Sequence, residues 1–416
     1  MERIIVRPNG PLSGTVPISG AKNSVLKLLA ATTLAEGRYE LRNVPRILDV
    51  DWMGELLGSM GMAVSWSGPD SLTVEHRPGL VPEAPYELVE RMRASIVVLG
   101  PLLARYGRAR VALPGGDDFG PRPIDMHLRA LEEMGATFES RHGYLEGRVD
   151  GLVGTRVLFE FPSVGATENV LMAAVLAKGT TTIENAAREP EIADLAAFLN
   201  RMGARVLGAG SSTITVEGVE ALSPVTHEVI PDRIEAATFL AAVGAAGGEI
   251  TLQGARADHM DMLITKLGAM GMRISPQTDG VWAMAAGRLR SVDVSTLPYP
   301  GIATDYKPLI VALLATADGV GIVTENLFAG RFRYVDELVR MGADIRTEGH
   351  HAVVRGVEQL SGAPVRAHDI RAGAALVVAA LRAEGPTEIL DAHHIARGYE
   401  RFVEKLRGIG ADVEAA

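Results

Sequence analysis

The chain has 416 residues, 47% apolar and 22% charged, with a formal net charge of −10 and no cysteine. That balance is globular and long enough for two or more domains; it excludes disulfides, thiolate metal sites and a cysteine nucleophile, and with no basic stripe it argues against a nucleic-acid surface. No apolar run reaches the roughly 18 residues of a membrane span, and the start MERIIVRPNG has no apolar stretch like that of a signal peptide, so a cytoplasmic protein without membrane contact is expected.

In chain order, two patterns alternate. VLKLLAATTLAEG closes at Gly37 and ELLGSMGMAV follows near residue 60; ASIVVLGPLLARYG closes at Gly107 and ALEEMGATF follows near 134; NVLMAAVLAKG closes at Gly179 and FLNRMGARV follows near 202. ATFLAAVGAAGG then closes at Gly247 before KLGAMGMRI near 270, PLIVALLATADG at Gly319 before ELVRMGADI near 341, and AALVVAALRAEG at Gly385 before KLRGIGADV near 409. Successive copies lie about 70 residues apart, which is a repeat rather than coincidence. Segments of the first kind are alanine-rich and apolar nearly all round, so they predict closely packed, buried helices. Segments of the second kind predict an amphipathic helix with a glycine C-cap, followed by a strand. The whole reads as an α/β protein of six subdomains, helices inside and sheets outside, divided into two lobes of three.

The residues at the starts of the buried helices are charged or polar. Lys22 and Asn23 precede the first, Arg93 opens the second and the stretch Ser163 to Glu168 opens the third. Asp232 with Arg233 opens the fourth, Asp305 the fifth, and Asp369 with Arg371 the sixth. A helix N-terminus carries partial positive charge and free N–H groups, so added cations make an anion site for phosphate or carboxylate; the plainer reading is capping residues and exposed charges. The segment LPGGDDFGPRP, residues 113–123, allows a solvated turn or a loop carrying a catalytic acid. The histidines, including the pairs at 350–351 and 393–394, show no ligand spacing, so no metal is expected.

The stretches SGAKNSVLKLLAATTLAEG, RMRASIVVLGPL, LPGGDDFGPRPIDMHL, FPSVGATENVLMAA, NAAREPEIADL, IPDRIEAATFLAA, TDYKPLIVALLATADG, DIRAGAALVVAALRAEG and HHIARGYERFVEKLRGIGA resemble the UDP-N-acetylglucosamine 1-carboxyvinyltransferase family of enolpyruvyl transferases, over essentially the whole chain. The resemblance implies a two-lobed inside-out α/β barrel, with lobes of residues 22–230 (including the loop 113–123) and of 1–21 plus 231–416, and an active site in the cleft between them. It implies transfer of the enolpyruvyl group of phosphoenolpyruvate to the 3′-hydroxyl of UDP-N-acetylglucosamine, with release of phosphate by addition and elimination, and with no cofactor. This is the first committed step of peptidoglycan synthesis, and so bears on cell-wall biogenesis, cell shape and cell division.

Residue by residue, the resemblance implies that Asp117 is the acid protonating the enolpyruvyl carbon, in the place where the best-known members carry cysteine. Burial and the adjacent Asp118 would have to raise its pKa. Such an enzyme is expected to be insensitive to fosfomycin, which alkylates that cysteine. Lys22, Arg122 and Arg397 would hold the phosphate, Arg331 and Arg371 the carboxylate, Asp305 would be the base and Asn23 a donor to the intermediate. Arg93, Arg122, Pro123, Ile124, Asp125, Met126, Ser163, Val164, Gly165 and Leu327 would bind the nucleotide sugar, with His127 behind them; Glu189 and Glu191 are assigned to lobe structure. The chain departs from the usual family pattern at Ile302–Ala303 (phenylalanine-proline), Tyr306–Lys307 (leucine-glutamine), Ala329–Gly330 and Ala396. Two alternatives therefore stay open: an enolpyruvyl transferase for another uridine nucleotide, and an inactive nucleotide-sugar-binding regulator.

Overall fold

In the computed structural model, which describes residues 2–113, 124–328 and 330–416, the chain forms two compact units. One is drawn from residues 20–230 and is called the middle unit; the other joins residues 2–19 to 231–416 and is called the split unit. Each has its own apolar core.

The amphipathic repeats form helices Leu48–Ser59, Asp125–Glu133, Pro190–Arg201, Asp261–Met270, Tyr334–Arg340 and Phe402–Gly408. The glycine just beyond each helix has φ between 91° at Gly342 and 112° at Gly271. A side chain in that left-handed region costs about 1–2 kcal/mol, which is why glycine recurs where the chain leaves the helix for a strand. The strand Asp344–Glu348 that follows one of them pairs with His351–Arg355, where residues alternate inward and outward and only Ala352 and Val354 are buried.

Each subdomain contributes to one mixed four-stranded sheet, and the same order recurs in all six. In the middle unit, Gly37–Arg42 lies between the parallel strand Thr226–Glu228 and the antiparallel strand Leu72–His76, which pairs in turn with Ala63–Trp66. Arg108–Ala112 takes Glu83–Ala84 as its parallel neighbour, and Thr180–Glu184 takes Arg156–Leu158. Each parallel edge strand is thus handed over by the preceding subdomain, and Thr226–Glu228, at the end of the third, returns to the first. The split unit closes in the same way, using the N-terminal segment: Arg3–Arg7 joins Thr387–Leu390 and Asp412–Ala415, while Leu12–Pro17 runs parallel to Gly248–Gln253. Exchanged strands cover sheet edges and link the three subdomains of each unit through backbone hydrogen bonds.

Inside each ring lie three helices. The middle unit has Lys22–Ala31, Leu99–Tyr106 and Val164–Ala174; the split unit has Arg233–Ala246, Lys307–Leu314 and Ile370–Ala380. Every residue of Ile370–Ala380 is buried, as the all-round apolar pattern requires. Small residues allow the close approach: a Cβ on Gly100 would stand 2.2 Å from the backbone oxygen of Asn169 in the neighbouring helix.

The structure corrects several expected helix ends. Lys22 and Asn23 lie in the first turn of their helix rather than before it, the second buried segment starts as a 3-10 turn (Arg93–Val98), and the fifth helix begins at Lys307, two residues after Asp305. Of the six glycines that close the buried segments, only Gly107 and Gly247 cap helices directly. Val164–Ala174, Lys307–Leu314 and Ile370–Ala380 stop several residues before Gly179, Gly319 and Gly385. In two of these, backbone bonds to other parts of the subdomain replace continuation of the helix: Val175 accepts from Val219 N–H and Ala315 from Val357 N–H, each at 2.9 Å. Among the described residues no helix is long and apolar enough to cross a membrane.

Gly100→Ala tests the packing. Alanine gains about 1 kcal/mol of helix propensity, but overpacking costs about 1–3 kcal/mol, and here the obstacle is backbone that cannot rotate away. We expect a net loss of stability, read as a lower urea midpoint at unchanged m-value. An equal or higher midpoint would show that the two helices have room to separate.

Candidate functional site

In the split unit the starts of the three central helices meet. Asp232 and Asp369 are N-caps: Asp232 Oδ1 accepts from the N–H groups of Ile234 and Glu235 at 2.7 and 3.1 Å, and Asp369 Oδ1 from those of Arg371 and Ala372 at 2.8 and 2.9 Å. The capping reading therefore holds for these two aspartates. It does not describe Asp305, which accepts from Arg331 Nη1 at 2.8 Å and lies 3.7 Å from Arg371 Nε. Both arginine side chains are 4% exposed, against 25% for Asp305.

Burial alone would raise the Asp305 carboxyl; Arg331, Arg371 and then Arg233 outweigh it and hold the group well below the usual carboxylate range. Burial works against the Arg371 charge, but Tyr399 and then Asp305 and Asp232 keep the guanidinium firmly protonated. Its Nη1 is buried with no hydrogen-bond acceptor among the described residues. The Tyr399 ring lies 5.1 Å from the Arg371 guanidinium, and the Tyr399 hydroxyl is 2.8 Å from Thr238 Oγ1. Arg233 donates to the Tyr306 hydroxyl at 3.2 Å. Arg397 is buried and ends the short helix His393–Ala396, two residues before Tyr399. Leu327 belongs to the same unit, its N–H donating to Glu325 Oε1 at 2.8 Å.

In the middle unit, Lys22 forms a buried ion pair with Asp49 at 2.7 Å. Lys27, one turn on, donates to the Asn23 carbonyl at 2.8 Å and lies 3.5 Å from Glu168. Burial raises the Glu168 carboxyl to about 7; Lys27 opposes the rise, and Glu191 and Glu189 reinforce it. Ser24 Oγ donates to Asp194, whose other oxygen is 2.8 Å from His227 Nε2, so the first helix is tied to the helix Pro190–Arg201 and to the strand Thr226–Glu228.

The residues assigned to the nucleotide sugar in this unit gather around His127. A Cβ on Gly165 would lie 3.0 Å from the His127 ring, and Asn169 is 2.8 Å from His127 Nδ1 and 3.1 Å from the Ile96 carbonyl. Ser163 caps its helix by accepting from Ala166 N–H at 3.3 Å. Ile124, Met126 and Val164 are half-buried against the core, with Asp125 opening the helix that carries His127. Burial, then the Arg93 charge, pushes His127 down to about 4, against a smaller opposing effect of Asp125. The ring is therefore neutral near pH 7.

Asp117, Asp118, Arg122 and Pro123 lie outside the described residues. Sequence reasoning missed Asp49, Thr304, Tyr399 and Glu325 as partners of the charges it singled out. Asp49 carried no signal beyond being one of two acids in an amphipathic first turn. Lys307 did carry one: a lone charge at the head of the apolar run PLIVALLA.

His127 generates a pH prediction. Its folded pKa lies below the unfolded value near 6.5, so the unfolded chain binds the extra proton between about 6.5 and 4 and stability falls with pH across that window, by about 3 kcal/mol in all. Thermal melting from pH 7 to 4 should show a steeper decline for the wild type than for His127→Gln. Parallel curves would remove His127 as a source of acid sensitivity.

A model of the EPSP synthase (3-phosphoshikimate 1-carboxyvinyltransferase) family matches residues 6–406. The chain is 50% identical over 415 residues to the UDP-N-acetylglucosamine 1-carboxyvinyltransferase of Nitratidesulfovibrio vulgaris, covering 99% of each. It is 52% identical over 418 residues to UDP-N-acetylglucosamine 1-carboxyvinyltransferase 1 of Symbiobacterium thermophilum, covering 99% of this chain and 95% of that one. Among solved structures, the enolpyruvyl transferase NikO from Streptomyces tendae matches with a TM-score of 0.89 at 28% identity, over 99% of this chain and 98% of NikO. The α/β architecture is thus the enolpyruvyl transferase fold, and the chain belongs to the UDP-N-acetylglucosamine 1-carboxyvinyltransferase family.

Proposed function

We propose that the protein transfers the enolpyruvyl group of phosphoenolpyruvate to the 3′-hydroxyl of UDP-N-acetylglucosamine and releases phosphate. The observation that carries this reading is the pair of buried guanidinium groups on Asp305, that of Arg371 with a nitrogen lacking an acceptor among the described residues. A planar guanidinium suits a carboxylate better than a point charge does. When the substrate carboxylate engages Arg331 and Arg371, their hold on Asp305 weakens. The aspartate then gains basicity as the sugar hydroxyl arrives, and it accepts the hydroxyl proton. The hydroxyl oxygen bonds to the central carbon of phosphoenolpyruvate while an acid delivers a proton to the methylene carbon, giving a tetrahedral ketal. Elimination then breaks the carbon–oxygen bond to phosphate and takes a proton from the new methyl group.

The other roles follow in kind. Lys22, held by Asp49 at a helix start, and Arg397 bind the phosphate together with Arg122, and Asn23 donates to the intermediate. Arg93, Ile124, Asp125, Met126, Ser163, Val164 and Gly165 bind the nucleotide sugar around the neutral His127, and Leu327 adds a backbone contact. Asp117 is the acid. We assign the activity to the cytoplasm and to the start of peptidoglycan synthesis, hence to cell shape and division. The substitutions at Ile302, Ala303, Tyr306 and Lys307 around Asp305 favour one second reading, a different uridine nucleotide as acceptor.

Phosphate release from phosphoenolpyruvate, measured with UDP-N-acetylglucosamine, UMP and shikimate 3-phosphate in turn, separates these readings. Turnover is expected with the first alone, and Asp305→Asn should lower it by about 10²–10⁴-fold in protein shown to be folded by circular dichroism. Turnover with UMP instead would establish the second reading, and no turnover with any acceptor would leave a binding protein.

Asp117 sets the response to an epoxide. A carboxyl kept protonated for acid catalysis is a poor nucleophile beside a thiolate, so fosfomycin should not inactivate the wild type with time. Asp117→Cys should stay active and become inactivated, with one adduct on the loop peptide by mass spectrometry. Time-dependent inactivation of the wild type would count against the assignment.

A further inference from the structure

Lys307 and Glu325 are both fully buried and form an ion pair at 2.8 Å. The Lys307 ammonium also donates to the Arg331 carbonyl at 2.5 Å and lies 3.9 Å from the centre of the Phe332 ring. Glu325 accepts from Thr296 Oγ1 and Thr304 Oγ1, each at 2.7 Å, and from the N–H groups of Leu327 and Phe328 at 2.8 and 3.2 Å. Thr304 Oγ1 in turn accepts from Arg331 Nη1 at 3.1 Å, the same nitrogen that binds Asp305 at 2.8 Å. One buried ammonium therefore fixes the backbone of Arg331 directly and its side chain through Glu325 and Thr304. A fully buried ion pair is seldom more stable than apolar residues of the same shape, so stability alone does not account for it two residues from Asp305.

We propose that Lys307 is a positioning residue for the enolpyruvyl transfer: its ammonium, acting with Glu325, sets Arg331 against Asp305 and anchors the Leu327 segment. The proposal rests on the function assigned above. The glutamine that the resemblance implies for usual members at this position is a donor without a charge, whereas the lysine makes the arrangement sensitive to pH. The charged and titratable groups facing it are Glu325, Arg331, Tyr334 and Asp369. Burial brings Lys307 down to about 8 against the opposing effect of Glu325, with Arg331 lowering it further and Asp369 raising it. The ammonium is present below about pH 8 and is lost as pH rises through that value.

Two variants of the full chain test this. Lys307→Met strands the Glu325 carboxylate, so it is combined with Glu325→Gln to keep the protein folded, as checked by melting temperature. Lys307→Gln serves as the conservative rescue. The double variant should lose on the order of 10–100-fold in kcat/KM for phosphoenolpyruvate, Lys307→Gln should retain most of it, and the wild type alone should show a fall in turnover centred near pH 8. A double variant with full kcat/KM, or a Lys307→Gln that is equally impaired, would overturn the proposal, as would the same alkaline fall in Lys307→Gln. Hydrogen exchange of the peptide carrying Leu327 and Phe328 gives a readout apart from turnover: faster exchange in the double variant than in Lys307→Gln supports positioning, and equal exchange overturns it. If the wild type releases no phosphate with UDP-N-acetylglucosamine, the assigned function fails, while the exchange comparison still decides whether the buried pair anchors the Leu327 segment.

Discussion

The carboxylate of Asp305 stands beside two guanidinium groups that are almost wholly removed from water, and much of the split unit exists to hold them there. Charges in such a place are costly unless each finds an opposite charge or a hydrogen bond. Arg331 leans on Asp305 and Thr304, Arg371 is placed by its helix start and by Tyr399, and Asp369 caps the helix from which Arg371 projects. The result is a carboxylate kept ionised by cations that also suit an incoming carboxylate. Ground-state pairing of this kind holds the carboxylate ionised and weakly basic, and in the mechanism proposed above the substrate's own charge would release it.

Such a site needs a rigid floor, and the strand exchange supplies it. Every subdomain gives an edge strand to its neighbour, so the three central helices of a unit are held at fixed spacing by sheets that cannot slide independently. The helices then approach closely enough for Gly100 to meet Asn169 backbone in the middle unit. The same closeness lets Asn169 reach His127 and the Ile96 carbonyl together, which orients the ring beneath Gly165, while burial and the Arg93 charge keep it neutral.

The two units use burial differently. Around Asp305, opposite charges meet and the acid is driven towards ionisation. Around Glu168, one lysine at 3.5 Å is outweighed by burial and by Glu191 and Glu189, and the acid is driven the other way. Two buried carboxylates of the same chain are thus shifted in opposite directions, because one faces two guanidinium groups and the other shares a single ammonium with its acidic neighbours.

The periodicity of the sequence determined the repeat: glycines about 70 residues apart, an apolar helix before one set and an amphipathic helix before the other, each followed by a strand. Those features are local, since helix period and left-handed glycine depend only on nearby residues. The motifs, read as a family resemblance, also picked out Asp305, Arg331, Arg371, Lys22 and the residues around His127. What the sequence withheld was pairing. Nothing near Lys22 named Asp49, nothing near Asp305 told which arginines would neutralise it, and Lys307 and Glu325 lie 18 positions apart with no common signature. Nor did composition show that residues 2–19 belong with 231–416, or that Thr226–Glu228 returns to Gly37–Arg42. These contacts are chosen by the closure of each ring of subdomains. An ion pair's partner is set by distance in space, and here only the tertiary fold fixes which distant residues share a low-dielectric interior.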